Sequence, residues 1–177
     1  MSGSELFAEL GIAADYGLRP HRPRFVEATE LEDVEPNLVG TIQRLAPETA
    51  AAWREMKRTA ADAGVQLLMV SGFRSIRHQA ELIRRKLAAG QAIEAILAVN
   101  AAPGFSEHHT GRAIDVATPG TRPLTAEFAS SPAFAWLQAN AGAFGFRLPY
   151  GRNNRFGFEY EPWHWSQVAE LDRQRRQ

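Results

Sequence analysis

The 177-residue sequence contains no cysteine, carries no net charge and has no long apolar segment. Without cysteine, disulfides, thiolate zinc sites, iron–sulfur clusters and a cysteine nucleophile are excluded. Twenty basic residues balance twenty acidic ones, so charge gives no reason to expect nucleic acid as a partner. No run approaches the roughly 18 apolar residues of a membrane span, and we expect none. Any metal site must therefore use histidine, aspartate or glutamate.

The N-terminal segment 1–12 has neither the basic region nor the apolar run of a signal peptide. For the chain as written we therefore expect a cytoplasmic location, and an envelope location if a leader has been removed. A chain without cysteine is indifferent to the redox conditions of either compartment. We also expect a monomer.

Length and composition predict one folded domain with short extensions. An apolar content of 45% with 23% charged residues is typical of a globular protein. We assign residues 1–46 to an N-terminal arm and helix that pack on the domain, 47–168 to the domain itself, and 169–177 to a polar C-terminal tail.

Helical apolar spacing alternates with short apolar runs bounded by turn residues, which predicts an α+β fold. Helices with recognisable start or stop residues are expected at four places: Pro47 to Gly64, Ser75 to Gly90, 92–99, and Ser131 to Gly142 or Gly145. Strands are expected over four segments: 65–70, 113–116, 146–150 and 163–166. The spacing of Leu38, Ile42 and Leu45 predicts one further helical segment.

Two short segments concentrate the side chains that could bind a metal. The first contains His108 and Asp115, and the second contains Glu161 and His164. Zinc without sulfur ligands takes about three nitrogen or oxygen ligands, keeps an open position for water and works with a nearby carboxylate. Gly111 lets the intervening loop turn so that His108 can face Asp115. Pro162 forbids a regular central strand, so a bend there can aim Glu161 and His164 into one cleft.

The same residues also permit a structural interpretation. A single histidine is more often a hydrogen-bonded structural or surface residue than a ligand, and Asp115 alone fits a helix cap or an ion pair. His109 is expected to point away from His108 and not to bind metal. His21 and His78 are expected to be bystanders. Spacing alone leaves the metal site and the structural interpretation both open.

The order of three motifs resembles the zinc D-Ala-D-Ala carboxypeptidases, the VanY-like and LD-carboxypeptidase-like enzymes related to the Hedgehog domain. The motifs are Ser71-Gly72-Phe73-Arg74-Ser75 with Gln79, then Ser106-x-His108-x-x-Gly111-x-Ala113-x-Asp115, then Glu161-Pro162-Trp163-His164. The resemblance covers about residues 47 to 166. It implies a Hedgehog/D,D-peptidase-like fold, a small antiparallel sheet flanked by helices.

The resemblance also implies a role for each residue of the three motifs. It makes His108, Asp115 and His164 the ligands of one zinc ion per chain. Glu161 becomes the general base, which takes a proton from the attacking water and later gives it to the leaving amine. Arg74 would stabilise the oxyanion or clamp the substrate, and Ser106 and Gln79 would contact the peptide.

The implied activity is removal of a C-terminal D-alanine from peptidoglycan stem peptides. Three alternatives stay open at this point: an endopeptidase like the related phage endolysins, a zinc-bound interaction module without catalysis, and a metal-free structural domain. D,D- and L,D-carboxypeptidases share the metal centre, so the sequence does not separate them. Phe73 stands where the family commonly has tyrosine, and Ser166-Gln167 where it often has Arg-Tyr; both departures bear on fine substrate preference.

Overall fold

A computed structural model describes residues 3–18 and 20–168 of the chain. The predicted polar tail, 169–177, lies outside the described residues. The α-helices are α1 (Gly3–Glu9), α2 (Pro47–Asp62), α3 (Ile76–Ala88), α4 (Ile93–Val99) and α5 (Pro132–Asn140). The strands are β1 (Glu32–Pro36), β2 (Ile42–Leu45), β3 (Leu68–Ser71), β4 (Ala113–Ala117), β5 (Phe146–Arg147) and β6 (His164–Gln167). Within these described residues, no helix has the length and apolar composition needed to cross a membrane.

Strands β3 to β6 form an antiparallel sheet in the order β3-β4-β6-β5. All five residues of β4 are buried because it lies inside the sheet with helices against it. Trp53 and Met56 of α2 and Leu137 of α5 pack with Ile114 of β4 in the main core. This small antiparallel sheet with helices against it confirms the predicted α+β architecture.

The helical segment predicted from Leu38, Ile42 and Leu45 is wrong. The chain forms a β-hairpin there instead, in which β1 pairs antiparallel with β2. Gly40 adopts a φ of 83° in the turn, and the Asn37 side chain accepts hydrogen bonds from the backbone N–H groups of Val39 and Thr41. Turn chemistry at Asn37 and Gly40 therefore outweighs a helical spacing of only three apolar residues, because those residues do not share a buried face.

Helix α3 begins where the sequence predicts. The Ser75 hydroxyl accepts a hydrogen bond from the backbone N–H of His78 at 3.0 Å, which caps the helix. The Glu27 carboxylate accepts another from the N–H of Ile76. Ala80 and Ile83 then pack in a second core with residues of α1 and α4. The start of α3 is therefore fixed both by Ser75 in the preceding turn and by Glu27 in the N-terminal arm.

Arg22 joins the N-terminal arm to the segment that follows β5. Its Nε donates to the carbonyl oxygen of Phe156 at 2.8 Å. The guanidinium lies over the rings of Tyr16 and Phe158, at 4.6 and 4.9 Å from their centroids. This one half-buried side chain therefore links the N-terminal arm to the segment after β5.

Arg22→Ala is expected to lower the free energy of unfolding by about 2 kcal/mol, the sum of one hydrogen bond and two cation–π contacts. Urea denaturation followed by circular dichroism measures the change. Arg77→Ala is the control, because Arg77 is exposed on α3 and forms a surface ion pair with Glu81 of the same helix. Its expected cost is below about 0.5 kcal/mol. Equal costs for the two variants would contradict a bridging role for Arg22.

Candidate metal centre

Asp115 and His164 lie opposite each other on neighbouring strands. Asp115 is the third residue of β4, His164 is the first of β6, and the antiparallel register pairs the two directly. Directly opposed residues of an antiparallel pair point to the same side of the sheet and lie close together. Sheet pairing therefore brings together two side chains that are 49 positions apart.

His108 reaches the same place from a short 3-10 helix, Glu107–Thr110. Gly111 ends this helix with a φ of 66°, as the predicted turn requires. A Cβ at this position would lie 2.8 Å from the backbone nitrogen of Ala46, whose N–H donates to the Gly111 carbonyl. Glycine is therefore needed here for both conformation and close approach, and its turn directs His108 towards β4.

The candidate ligand atoms of His108, Asp115 and His164 all lie within 4.8 Å of one another. His108 Nε2 is 3.2 Å from one Asp115 carboxylate oxygen, and His164 Nδ1 is 3.1 Å from the other. His108 Nδ1 donates to the carbonyl oxygen of Gly72 at 2.7 Å, which leaves Nε2 as its free donor atom for a metal. His164 Nε2 faces Glu107 at 3.0 Å, which leaves Nδ1 as the ring nitrogen that can bind a metal. Such partners on the far nitrogen are typical of metal-binding histidines.

The electrostatics of the cluster favour an ionised aspartate that faces a cation. Burial by itself would raise the pKa of Asp115, but attraction to His108 and hydrogen bonds from both imidazoles hold it well below its usual range. Burial works against the charged form of His164, yet Asp115 and Glu107 raise its pKa to about 10. Burial lowers the pKa of His108. A positive charge is therefore favoured between these side chains, and zinc supplies one to nitrogen and oxygen ligands.

Glu161 lies in a turn that also carries His164. The backbone N–H of His164 donates to the Glu161 carbonyl at 3.1 Å, and both side chains border the same cavity, as the bend at Pro162 predicts. Burial raises the pKa of Glu161 to about 7. Among the residues that the structure describes, no hydrogen bond or ion pair holds its carboxylate. Glu161 is therefore available for proton transfer beside the three candidate ligands.

Arg74 is held at the edge of the cluster by several contacts. One guanidinium nitrogen donates to Gln79 Oε1 at 3.0 Å, and the other donates to Ser71 Oγ at 3.2 Å and lies 3.8 Å from an Asp115 oxygen. The Arg74 backbone N–H donates to the carbonyl oxygen of His108. The guanidinium is thus fixed in direction while it still borders the cavity.

The cavity beside the cluster has a volume of about 460 Å³, within the range of small-molecule sites. Ser106, which the resemblance predicts as a substrate contact, borders this cavity. Gln79 does not: it is fully buried, and its amide donates to the Ala101 carbonyl at 2.7 Å and accepts from Arg74. Gln79 therefore supports Arg74 and does not line the cavity.

His109 takes no part in the cluster. Its Nδ1 donates to the Arg74 carbonyl at 2.6 Å, and its Nε2 accepts from the Gly104 N–H at 3.1 Å. Both ring nitrogens are therefore used, which agrees with the prediction that His109 is not a ligand. His21 and His78 are exposed and do not belong to the group of converging ligand atoms.

Three residues at the site were not singled out from the sequence. Glu107 is buried against His164, Tyr150 stacks on the His164 ring at 4.6 Å between centroids, and Lys86 borders the cavity from α3. Burial opposes ionisation of Glu107, but His164 and Arg147 lower its pKa, so the carboxylate is charged. The only signal for Glu107 was its place beside His108. Lys86 and Tyr150 carried none.

Comparison with known proteins now places this geometry in a family. The family model of VanY, D-alanyl-D-alanine carboxypeptidase, matches residues 42–170. The chain belongs to the VanY family. The match includes all three candidate ligands, Glu161 and Arg74, and it confirms the resemblance inferred from the motifs.

Two similar proteins bear the name of carboxypeptidases. The putative carboxypeptidase YodJ of Bacillus subtilis (strain 168) is 34% identical over 144 residues, which cover 78% of this chain and 52% of that protein. The chain thus spans about half the length of this relative. The structure of the LdcB LD-carboxypeptidase, described for peptidoglycan recognition, has a TM-score of 0.72 at 32% identity, covering 86% of this chain and 74% of LdcB.

A second similar structure contains a metal. The vancomycin-resistance D,D-pentapeptidase VanY was determined in complex with Zn(II), and it matches with a TM-score of 0.63 at 26% identity over 82% of each chain. The same fold therefore holds zinc in that VanY protein. In the present chain three buried side chains, His108, Asp115 and His164, bring nitrogen and oxygen donors together.

Proposed function

We propose that this VanY-family chain is a zinc-dependent carboxypeptidase that removes a C-terminal D-alanine from peptidoglycan stem peptides. One observation carries the proposal: three buried nitrogen and oxygen donors converge at a cavity that Glu161 and the fixed Arg74 also line. The family match and the similarity to LdcB support the substrate class.

The donor set fits zinc by its chemistry. His108 would bind through Nε2, His164 through Nδ1 and Asp115 through a carboxylate oxygen, since the other imidazole nitrogens are occupied. Zinc bound by three such ligands polarises a carbonyl and lowers the pKa of water towards ~7. One zinc ion per chain is proposed.

Glu161 is the proposed general base and then the general acid. Its half-buried carboxylate has a raised pKa, which suits a group that must accept a proton from water and return it to a leaving amine near neutral pH. Glu107, the buried glutamate nearby, is unsuited because both its oxygens are engaged. Within the described part of the chain the Glu161 carboxylate has no hydrogen-bond or ion-pair partner, which argues against a purely structural zinc module.

Arg74 is proposed to stabilise the developing oxyanion or to clamp the substrate near the metal. Its guanidinium is permanently charged, and Gln79 and Ser71 fix its direction before substrate binds. A preorganised donor of this kind costs no reorganisation during the reaction.

Ser106 and Lys86 are proposed to bind the terminal carboxylate of the peptide. Both border the cavity, which gives it a hydroxyl and an ammonium group in addition to Arg74. In the part of the chain that the structure describes, no carboxylate forms an ion pair with Lys86, and burial together with the charge of Arg74 lowers its pKa. An unpaired cation of this kind favours a substrate with a free C-terminus, so we favour a carboxypeptidase over an endopeptidase.

Lys86→Met is expected to raise KM for a stem peptide about tenfold or more with a smaller change in kcat, since a charge-assisted hydrogen bond contributes roughly 1.5–3 kcal/mol. Steady-state kinetics measure both constants, and a peptide with an amidated C-terminus should show no such difference. Arg85→Met is the matched control, because Arg85 is exposed on the same helix and does not border the cavity. An unchanged KM for Lys86→Met would remove Lys86 from the carboxylate site.

The proposed activity is tested directly with defined tri-, tetra- and pentapeptide stems and mass spectrometry. Release of one alanine from the pentapeptide indicates D,D-activity, and release from the tetrapeptide indicates L,D-activity. Products cut inside the stem, or equal cleavage of acid and amide termini, would instead indicate an endopeptidase. If the zinc-loaded protein cleaves none of these peptides, the proposed function is wrong.

A further inference from the structure

Glu107 precedes one candidate zinc ligand in the sequence and contacts another in space. It is only 6% exposed, and its Oε2 lies 3.0 Å from Nε2 of His164. Its other oxygen, Oε1, accepts a hydrogen bond from Nη2 of Arg147, also at 3.0 Å. Both carboxylate oxygens therefore have one partner each, and a buried charge is tolerated when it is paired in this way.

The contact between Glu107 and His164 determines which ring nitrogen is free. An ionised carboxylate only accepts hydrogen bonds, so His164 Nε2 must carry the proton that it donates. In the neutral ring the lone pair then belongs to Nδ1, and Nδ1 is the atom that faces Asp115 at 3.1 Å. Glu107 thus holds the ring in the orientation and tautomer that a metal at this centre needs.

We propose that Glu107, supported by Arg147, is a positioning residue that strengthens metal binding by His164. The inference rests on the proposed zinc function. Carboxylate partners of histidine ligands fix the ring and raise its basicity, and their loss typically weakens metal binding by about 10- to 100-fold. Glu107 itself belongs neither to the group of converging donor atoms nor to the residues that border the cavity.

Arg147 extends this support to the edge of the sheet. It lies on β5 and pairs in register with Ser166 of β6, the strand that begins with His164. Its ion pair with Glu107 therefore connects β5 to the 3-10 helix that carries His108. Because the Arg147 side chain is 43% exposed, water screens the pair and its contribution is smaller than that of Glu107.

The first test measures zinc affinity by competition with a chromophoric chelator, without any substrate. Glu107→Gln, which keeps the shape of the side chain, should bind zinc about 10- to 100-fold more weakly than the parent while circular dichroism shows the same fold. Arg147→Met should weaken binding about threefold, and Arg147→Lys should restore most of that loss.

Arg112→Met serves as the matched control for Arg147→Met. Arg112 lies between His108 and Asp115 in the sequence, and its side chain also forms one ion pair, with Glu48, away from Glu107. The Arg112→Met variant should bind zinc with the same affinity as the parent. A similar loss in this variant would indicate a general effect of charge or stability and would overturn the role of Arg147.

The second test reads the tautomer of His164 directly. In zinc-loaded protein labelled with ¹⁵N-histidine, the parent should show His164 with its proton on Nε2 and a metal-shifted Nδ1, and Glu107→Gln should alter or broaden these signals. A parent that binds zinc, together with a Glu107→Gln variant of equal affinity and an unchanged spectrum, overturns this inference alone. A parent that binds no zinc overturns both the inference and the proposed function.

Discussion

Glu161→Gln is expected to keep one zinc ion per chain and to lower kcat by about 10³-fold. Glutamine has nearly the same shape as glutamate but cannot accept a proton from water, and general acid–base catalysis by one positioned group contributes about 10²- to 10⁴-fold. Because Glu161 is not one of the converging donors, metal content should not change. Elemental analysis gives the zinc content, and mass-detected release of alanine from a stem peptide gives kcat.

Glu159→Gln is the matched control for this substitution. Glu159 borders the same cavity two residues earlier but is exposed, whereas Glu161 is half-buried. The control should keep kcat within a few-fold of the parent. A Glu161→Gln variant that cleaves as well as the parent would show that another group is the base. A Glu161→Gln variant that loses zinc would instead show that Glu161 is a ligand.

The pH profile offers a second check on the same residue. Glu161 is the active base only when ionised, so kcat/KM of the parent should fall as the pH decreases through the pKa of its carboxyl group. Burial raises that pKa, and a cation at the adjacent centre lowers it again, so the acid limb should lie below about 7. The residual activity of Glu161→Gln should lack this limb.

Local sequence signals were sufficient for most helices. Pro47 lies in the first turn of α2, and the Ser75 hydroxyl caps α3, because these residue types satisfy or avoid the unpaired N–H groups of a first helical turn. The hairpin of β1 and β2 contradicts the helix that the spacing of Leu38, Ile42 and Leu45 predicts, because three residues are too few to define a helical face. The turn residues Asn37 and Gly40 decide this segment instead.

The converging donors were predictable from motif order, whereas their supports were not. His108, Asp115 and His164 carry the motifs that identify the family, and strand register then places the last two side by side. The role of Glu107 depends on a tertiary contact across 57 positions, which no local pattern shows. The family resemblance predicts that Gln79 contacts the peptide, whereas its side chain hydrogen-bonds to Arg74 and does not line the cavity.

His108→Ala is expected to reduce zinc affinity by more than two orders of magnitude. Structural zinc sites with four ligands bind with roughly 10–16 kcal/mol, so one ligand accounts for about 3 kcal/mol, and each tenfold change in affinity corresponds to about 1.4 kcal/mol. Chelator competition measures the affinity, and alanine release should fall with the metal content. His78→Ala is the control, because His78 is exposed on α3 and should keep parental affinity.

Thermal unfolding with and without zinc separates loss of a ligand from loss of the fold. Zinc that binds only the folded parent should raise its Tm, and the increase should nearly disappear in His108→Ala at the same metal concentration. In the metal-free state the variant also loses the hydrogen bond to Gly72 and the contact with Asp115, so some destabilisation is expected there. The difference made by zinc, rather than the metal-free Tm, therefore reports on the ligand. If His108→Ala holds one zinc ion per chain with parental affinity, His108 is not a ligand and the proposed ligand set is wrong. The metal site on which the proposed peptidase depends would then be formed by other residues of the cavity.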